Sequence, residues 1–171
     1  MTIIETQRLL LQEVQLADAP FIFELLNTPT WLKYIGDRGI KTLADAEQYI
    51  QKSFLDSYKK NGFGLYKLVL KTTNAPIGLC GLVNRPTLED IDIGFTLLPK
   101  YAKKGYAYEA AKATMDYAWN ELDLTTIVAI TSKDNSNSQQ LLEKIGLQQA
   151  DTITLEGDDE ELFLYKAVSS L

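Results

Sequence analysis

Between Asp90 and Lys112 the chain reads DIDIGFTLLPKYAKKGYAYEAAK, and the remaining segments have to be built around it. Ile91, Ile93, Phe95 and Leu97 alternate with Asp92, Gly94 and Thr96, which is the period of a strand. Pro99 ends that strand, and a short basic turn from Lys100 to Gly105 follows. Tyr106, Ala107, Glu109, Ala110, Ala111, Lys112 and Ala113 then open a helix of strong helix formers. The first N–H groups of such a helix have no internal partner, and the helix dipole places partial positive charge there. Gly105 has no Cβ, so an anion can come close to the backbone, and Lys103 and Lys104 add charge. Strand–turn–helix units with one glycine also occur as crossovers that bind nothing, so the rest of the chain has to decide.

The chain has 171 residues, 46% of them hydrophobic and 23% charged, which suits one soluble domain spanning residues 1–171 with an adequate core. A formal net charge of −6 argues against a nucleic-acid surface and is compatible with cationic, amine-bearing ligands. No apolar run is long enough to span a bilayer. The opening MTIIETQR has neither a basic nor an apolar signal region, so a cytoplasmic location is expected. Cys80 is the only cysteine and stands among Ile77, Leu79, Leu82 and Val83, as a small buried hydrophobe does. The complete absence of histidine removes His-based triads and the usual zinc ligand sets, and no metal site is expected.

Taken in order, Arg8 to Val14 reads as a first strand. Asp18 offers a cap to a helix carrying Phe21, Ile22, Leu25 and Leu26, and a short helix over Thr30 to Ile35 follows. Thr42 with Asp45 opens a longer helix that Asn61-Gly62 ends. Its apolar stripe is Ala46, Tyr49, Ile50, Phe54 and Tyr58. Trp31, Tyr34 and Tyr49 either belong to the core or line a pocket. Gly64 to Lys71 and Ile77 to Asn84 form a hairpin around Asn74 and Pro76. Thr125 to Thr131 is a β-branched, buried strand, Asn135 to Lys144 a short helix, and Leu147 to Leu155 and Glu161 to Val168 a closing pair of strands. This order predicts a mixed α/β fold, with one mostly antiparallel sheet of seven strands and helices on both faces. The strands on either side of the Gly105 helix should be parallel neighbours, joined by a right-handed crossover.

Element order and two motifs together make the chain resemble the GNAT superfamily of N-acyltransferases, and within it the branch that acetylates N-terminal amines of ribosomal proteins. The pyrophosphate loop of that family, Q/R-x-x-G-x-G/A, is matched by Ala102-Lys103-Lys104-Gly105-Tyr106-Ala107. Ala102 replaces the leading Gln/Arg, and Lys103 replaces a glycine common in the branch. The second motif, N-x-x-S followed by two apolar residues, E-K-x-G and an apolar residue, is matched from Asn135 through Ser138, Leu141, Leu142, Glu143, Lys144 and Gly146 to Leu147.

The resemblance implies the GNAT-like acyl-CoA fold with a V-shaped split between the central parallel strands. It implies acetyl-CoA as cosubstrate. The pantetheine arm would lie along Phe95, Thr96 and Leu97, and the pyrophosphate on Lys103, Lys104, Gly105, Tyr106 and Ala107. Asn135 and Ser138 would reach the arm and the sulfur. The acceptor would be a primary amine, on a protein N-terminus or a small molecule, attacking the thioester directly. Many relatives carry a tyrosine where Leu142 stands, which leaves Ser138 to protonate the leaving thiolate. Asp92, or Glu89 and Asp90 through water, would take the ammonium proton. Two other readings remain open, a non-catalytic acyl-CoA-binding regulator and a transferase for a longer acyl group. No nucleic-acid or membrane partner is expected, and a monomer or homodimer is compatible with the sequence.

Overall fold

The computed structural model describes residues Met1 to Ser170. Eight strands form one sheet in the order β1-β2-β3-β4-β5-β6-β8-β7. They are β1 (Thr2–Glu5), β2 (Leu9–Glu13), β3 (Leu65–Leu70), β4 (Ala75–Val83), β5 (Ile91–Leu97), β6 (Thr126–Ser132), β7 (Gln148–Thr154) and β8 (Glu161–Val168). Every neighbouring pair is antiparallel except β5 with β6, which are parallel and joined by a crossover helix. The expectation of seven strands is corrected to eight. The extra one is β1, whose four residues lie antiparallel on β2 and carry too little alternation to be legible alone.

Two helical layers cover the sheet. Helices α5 (Tyr106–Asn120) and α6 (Ser136–Lys144) lie on one face. Ala110, Ala111, Met115, Ala118 and Leu142 pack there against Tyr66, Leu68, Cys80, Leu82, Ile93 and Ile127. Ala110, Ala111 and Ala118 of α5 are fully buried, and their small size lets the helix lie close to the strands. The opposite face is covered by α1 (Ala19–Leu26), α2 (Pro29–Tyr34), α3 (Leu43–Ile50) and α4 (Asp56–Asn61). Phe21, Ile22, Leu25, Trp31, Ile50 and Phe54 meet Leu79 and Leu98 on that side.

The long helix expected from Thr42 to Asn61 contains a wide π turn, Gln51–Leu55, between α3 and α4. Its apolar stripe explains why. Ala46, Ile50, Phe54 and Tyr58 recur every fourth residue, slower than the repeat of about 3.6 in an α-helix, and a wider turn takes up the lag. Tyr58 thereby reaches the sheet. Its hydroxyl donates to the Leu65 carbonyl and accepts from the Val14 N–H at 3.0 Å, and its ring stacks on Tyr66 at 5.5 Å. The capping box is present, with the Asp45 N–H donating to Thr42 Oγ1 at 3.1 Å and the Thr42 N–H to Asp45 Oδ2 at 3.0 Å. Asp18 sits before α1 as expected but does not cap it. Its carboxylate is taken by Lys67 Nζ on β3, at 3.0 and 3.1 Å.

The hairpin of β3 and β4 depends on Gly81. A Cβ built there would stand 2.1 Å from the Gly64 carbonyl oxygen, an atom fixed in the backbone. Gly81→Ala therefore has to push two strands apart in the middle of the sheet. We expect it to destabilise the protein by about 1–3 kcal/mol, as overpacking does. Urea denaturation gives the test, and an unchanged midpoint would contradict the close approach.

Candidate active site

Among the described residues the β5–β6 ladder consists of Ile91 with Ile127 and Asp92 with Val128, and ends there. Yet β5 continues against β4 as far as Leu97, and β6 continues against β8 as far as Ser132. Past Asp92 and Val128, then, each strand keeps a partner on one edge and has a free edge on the other. The free edges face each other across a gap that opens toward the C-terminal ends of both strands. Phe95, Thr96 and Leu97 form the outer part of the β5 edge and are half-buried. Open α/β sheets bind ligands at such places.

The chain leaving β5 makes a short turn over Pro99–Tyr101 and reaches α5 through an exposed loop. Lys103 and Gly105 both take left-handed conformations, with φ of +62° and +84°. Lysine at such a φ costs roughly 1–2 kcal/mol, so Lys103 keeps the path a glycine would take without the glycine. Glu109 is the first residue of α5 whose N–H finds a backbone carbonyl, that of Gly105 at 3.1 Å. The N–H groups of Gly105, Tyr106 and Ala107 have no backbone acceptor among the described residues. They stand at the mouth of the gap with the positive end of a helix of 15 residues behind them.

On the other lip, α6 starts just beyond β6. Asn135 caps it, its Oδ1 accepting the Ser138 N–H at 3.2 Å. The Ser138 hydroxyl makes no hydrogen bond among the described residues and is half-buried. Leu142 is 1% exposed in the core, so that position has no proton to give.

Alternation along β5 separates the two faces. Ile91, Ile93, Phe95 and Leu97 pack under α5, so Asp92, Gly94 and Thr96 project toward the layer of α1 to α4. Asp92 is 2% exposed and receives a 2.5 Å hydrogen bond from Arg85 Nε. Burial pushes its carboxyl up to about 6 against the pull of Arg85, whose side chain remains 35% exposed. Arg85 also acts on Tyr49, the partly buried tyrosine of α3. Burial raises the Tyr49 hydroxyl above its ordinary range, while Arg38, Arg85 and a hydrogen bond with Ser53 pull the other way.

Of the aromatics open to either reading, Trp31 is core, at 4% exposure, with an indole N–H that meets no acceptor among the described residues. Tyr34 and Tyr49 keep some exposure. Phe95 to Leu97 thus lie on the free edge of β5, Gly105 to Ala107 at the start of the crossover helix, Asn135 and Ser138 at the start of the helix that follows β6, and Asp92 on the last rung of the ladder. Arg85, which sequence reasoning missed, stands beside Asp92. Its partner is seven residues away across a loop, a spacing that carries no local signal.

This geometry agrees with what other proteins show. Residues 8–148 match the acetyltransferase (GNAT) domain family, and the chain belongs to it. It is 30% identical over 146 residues to the uncharacterized N-acetyltransferase YnaD of Bacillus subtilis (strain 168), covering 85% of this chain and 82% of that one. The acetyltransferase from Agrobacterium tumefaciens str. C58 superposes with a TM-score of 0.82 at 27% identity, over 99% of this chain and 95% of that one. The ribosomal L7/L12 alpha-N-protein acetyltransferase RimL, solved in complex with coenzyme A, shares the fold with a TM-score of 0.82 at 16% identity, over 98% of each chain. The protein is an acyltransferase of the GNAT class, a family that transfers acetyl groups from acetyl-CoA.

The position of Asp92 has a measurable consequence. The folded protein holds this proton more tightly than the unfolded chain, with a value of about 6 against 3.8. Its contribution to stability is therefore fully present below about pH 4 and is lost as pH rises through about 6, by roughly 3 kcal/mol. Asp92→Asn removes that dependence. The stability of the Asn variant relative to the parent should improve between pH 4 and pH 7.5. Denaturant titrations at both values check it, and a difference that does not change with pH would contradict the burial of an ionisable Asp92.

Proposed function

We propose that this chain moves an acetyl group from acetyl-CoA to a primary amine, on a protein N-terminus or a small molecule, by direct attack. The observation that carries this reading is the free edge of β5 running into the unpaired N–H groups at the start of α5. An extended arm of amides ending in a pyrophosphate has the chemistry to satisfy both. When bound, acetyl-CoA supplies an acyl group activated as a thioester.

The residues then divide the work. The backbone of Phe95, Thr96 and Leu97 aligns the arm as a further strand would. The N–H groups of Lys103, Lys104, Gly105, Tyr106 and Ala107 hold the pyrophosphate. Asn135 keeps α6 started at the rim, and Ser138 Oγ holds a proton for the sulfur that leaves. Asp92, on the face of α1 to α4, accepts the ammonium proton, directly or through water. A carboxyl near 6 remains ionised at neutral pH and is a stronger base than an ordinary carboxylate. Fixing donor and acceptor in one gap supplies the remainder of the rate.

CoA release measured over a panel of amines and N-terminal peptides tests the activity, and no release with any amine would refute it. The pH dependence should have two limbs. One follows Asp92 near 6 and disappears in Asp92→Asn. The other follows the acceptor, so an α-amine peptide outpaces a matched lysine side chain at neutral pH, its pKa being about 8 against about 10. A flat profile across both ranges on the chemical step would remove Asp92 and free-amine attack together. Ser138→Ala should lower turnover by about ten- to hundredfold with little change in acetyl-CoA affinity, as loss of a general acid does. Unchanged turnover would take Ser138 out of the chemistry.

A further inference from the structure

Ala102, at the head of the loop, brings no side-chain donor to it. The structure puts a guanidinium at the loop from elsewhere. Arg8, just before β2, lies against the start of α5, about a hundred residues away in the chain. Its Nε donates to Glu109 Oε1 at 2.8 Å and its backbone N–H to Glu109 Oε2 at 2.9 Å. Thr6 Oγ1 donates to Glu109 Oε2 as well, at 2.6 Å. The side chain then crosses the ring of Tyr106, its Cζ 4.4 Å from the ring centroid. Its Nη1 donates to the Lys104 carbonyl at 3.1 Å. The remaining nitrogen, Nη2, donates to nothing among the described residues and lies beside Gly105, 3.2 Å from where a Cβ would be. A cavity of about 430 Å³ adjoins it, lined by Thr6, Arg8, Gly105, Tyr108 and Lys112 among others.

We propose that Arg8 serves the loop from outside it: it fixes the Lys104–Gly105 path and presents Nη2 to the pyrophosphate of the acyl donor. This rests on the acetyl-CoA reading above. Three of its hydrogen bonds, counting the backbone N–H, are spent on Glu109 and on the Lys104 carbonyl, which leaves the guanidinium rigid and one end of it open. The Lys104 carbonyl, tied back by Nη1, keeps that peptide's oxygen away from an approaching anion. Gly105 is needed on this account for a second reason, since a side chain there would press on Nη2. A lysine at position 8 would carry the charge without the planar fork that makes these contacts at once.

Two acyl donors separate this role from mere support of the fold. S-acetylpantetheine has the thioester and the arm but no pyrophosphate. Arg8→Gln should raise the KM for acetyl-CoA by about ten- to hundredfold, the effect of losing one charge-assisted contact. It should leave kcat/KM for S-acetylpantetheine and the KM for the amine unchanged, and Arg8→Lys should recover only part of the loss. An unchanged KM for acetyl-CoA would overturn the proposal, and so would a parallel loss with both donors.

A measurement on the unaltered protein covers the case of a variant that does not fold. Phenylglyoxal labelling of Arg8, read by mass spectrometry, should be suppressed by CoA and not by pantetheine. Equal labelling with and without CoA, in protein shown by calorimetry to bind CoA, would overturn the role of Arg8 alone. A parent that does not bind CoA would overturn the function reading and this inference with it.

Discussion

The interaction on which the rest depends is one that stops. The β5–β6 ladder ends at Asp92 and Val128, while both strands continue against their other neighbours. A buried backbone edge without partners is costly, so such a break survives only where something else reaches the edge. The burial of β5 follows this requirement. Asp92 and Ile93 are buried at the last rung, and Gly94 to Leu97 become half-buried where the gap opens. The two outer neighbours, β4 and β8, hold the lips of the gap in place. Their pairing is continuous from Gly78 with Leu97 to Val83 with Asp92 on one side, and from Thr126 with Val168 to Ser132 with Leu162 on the other. The site is therefore rigid because its outer halves are ordinary sheet.

What was legible in the sequence was whatever depends on neighbours in the chain. The alternation of β5, the glycine before α5, the Thr42–Asp45 box and the short helix from Asn135 all act over a few residues, and all are present. The parallel pairing of β5 and β6 followed from the helix between them. What was not legible depends on residues far apart. Asp18 looked like a cap for α1, but its carboxylate is held instead by Lys67 Nζ on β3 at 3.0 Å and by the Gln15 N–H at 2.8 Å. Trp31 was open to a pocket or to the core, and it packs in the core with residues of α1 and α3. The partners of Arg8 and of Asp92 have no pattern to announce them, because an ion pair across a fold leaves no period in the sequence. The π turn is intermediate. Its four-residue repeat was visible, but that repeat reads as a slightly drifting α-helix until the Tyr58 hydroxyl is seen bridging β2 and β3.

A chain without histidine has to obtain a group that titrates near neutrality from some other residue, and the two carboxylates at this site show how environment decides which. Both are pushed upward by loss of water. For Glu109 that push is outweighed by hydrogen bonds from Thr6 and from the Arg8 side chain and backbone, and the carboxyl stays below its ordinary value. It is a strut, held by the Thr6 hydroxyl and by the Arg8 side chain and backbone. Asp92 is more deeply buried and has Arg85 alone, through one nitrogen of a side chain that water also reaches. Burial wins there, and the carboxyl is held at about 6. The difference lies in the depth of burial and the number of donors rather than in the acid itself. The same sparseness of partners that makes Asp92 expensive to ionise leaves it able to take a proton, which is what the proposed reaction asks of the closed end of the gap.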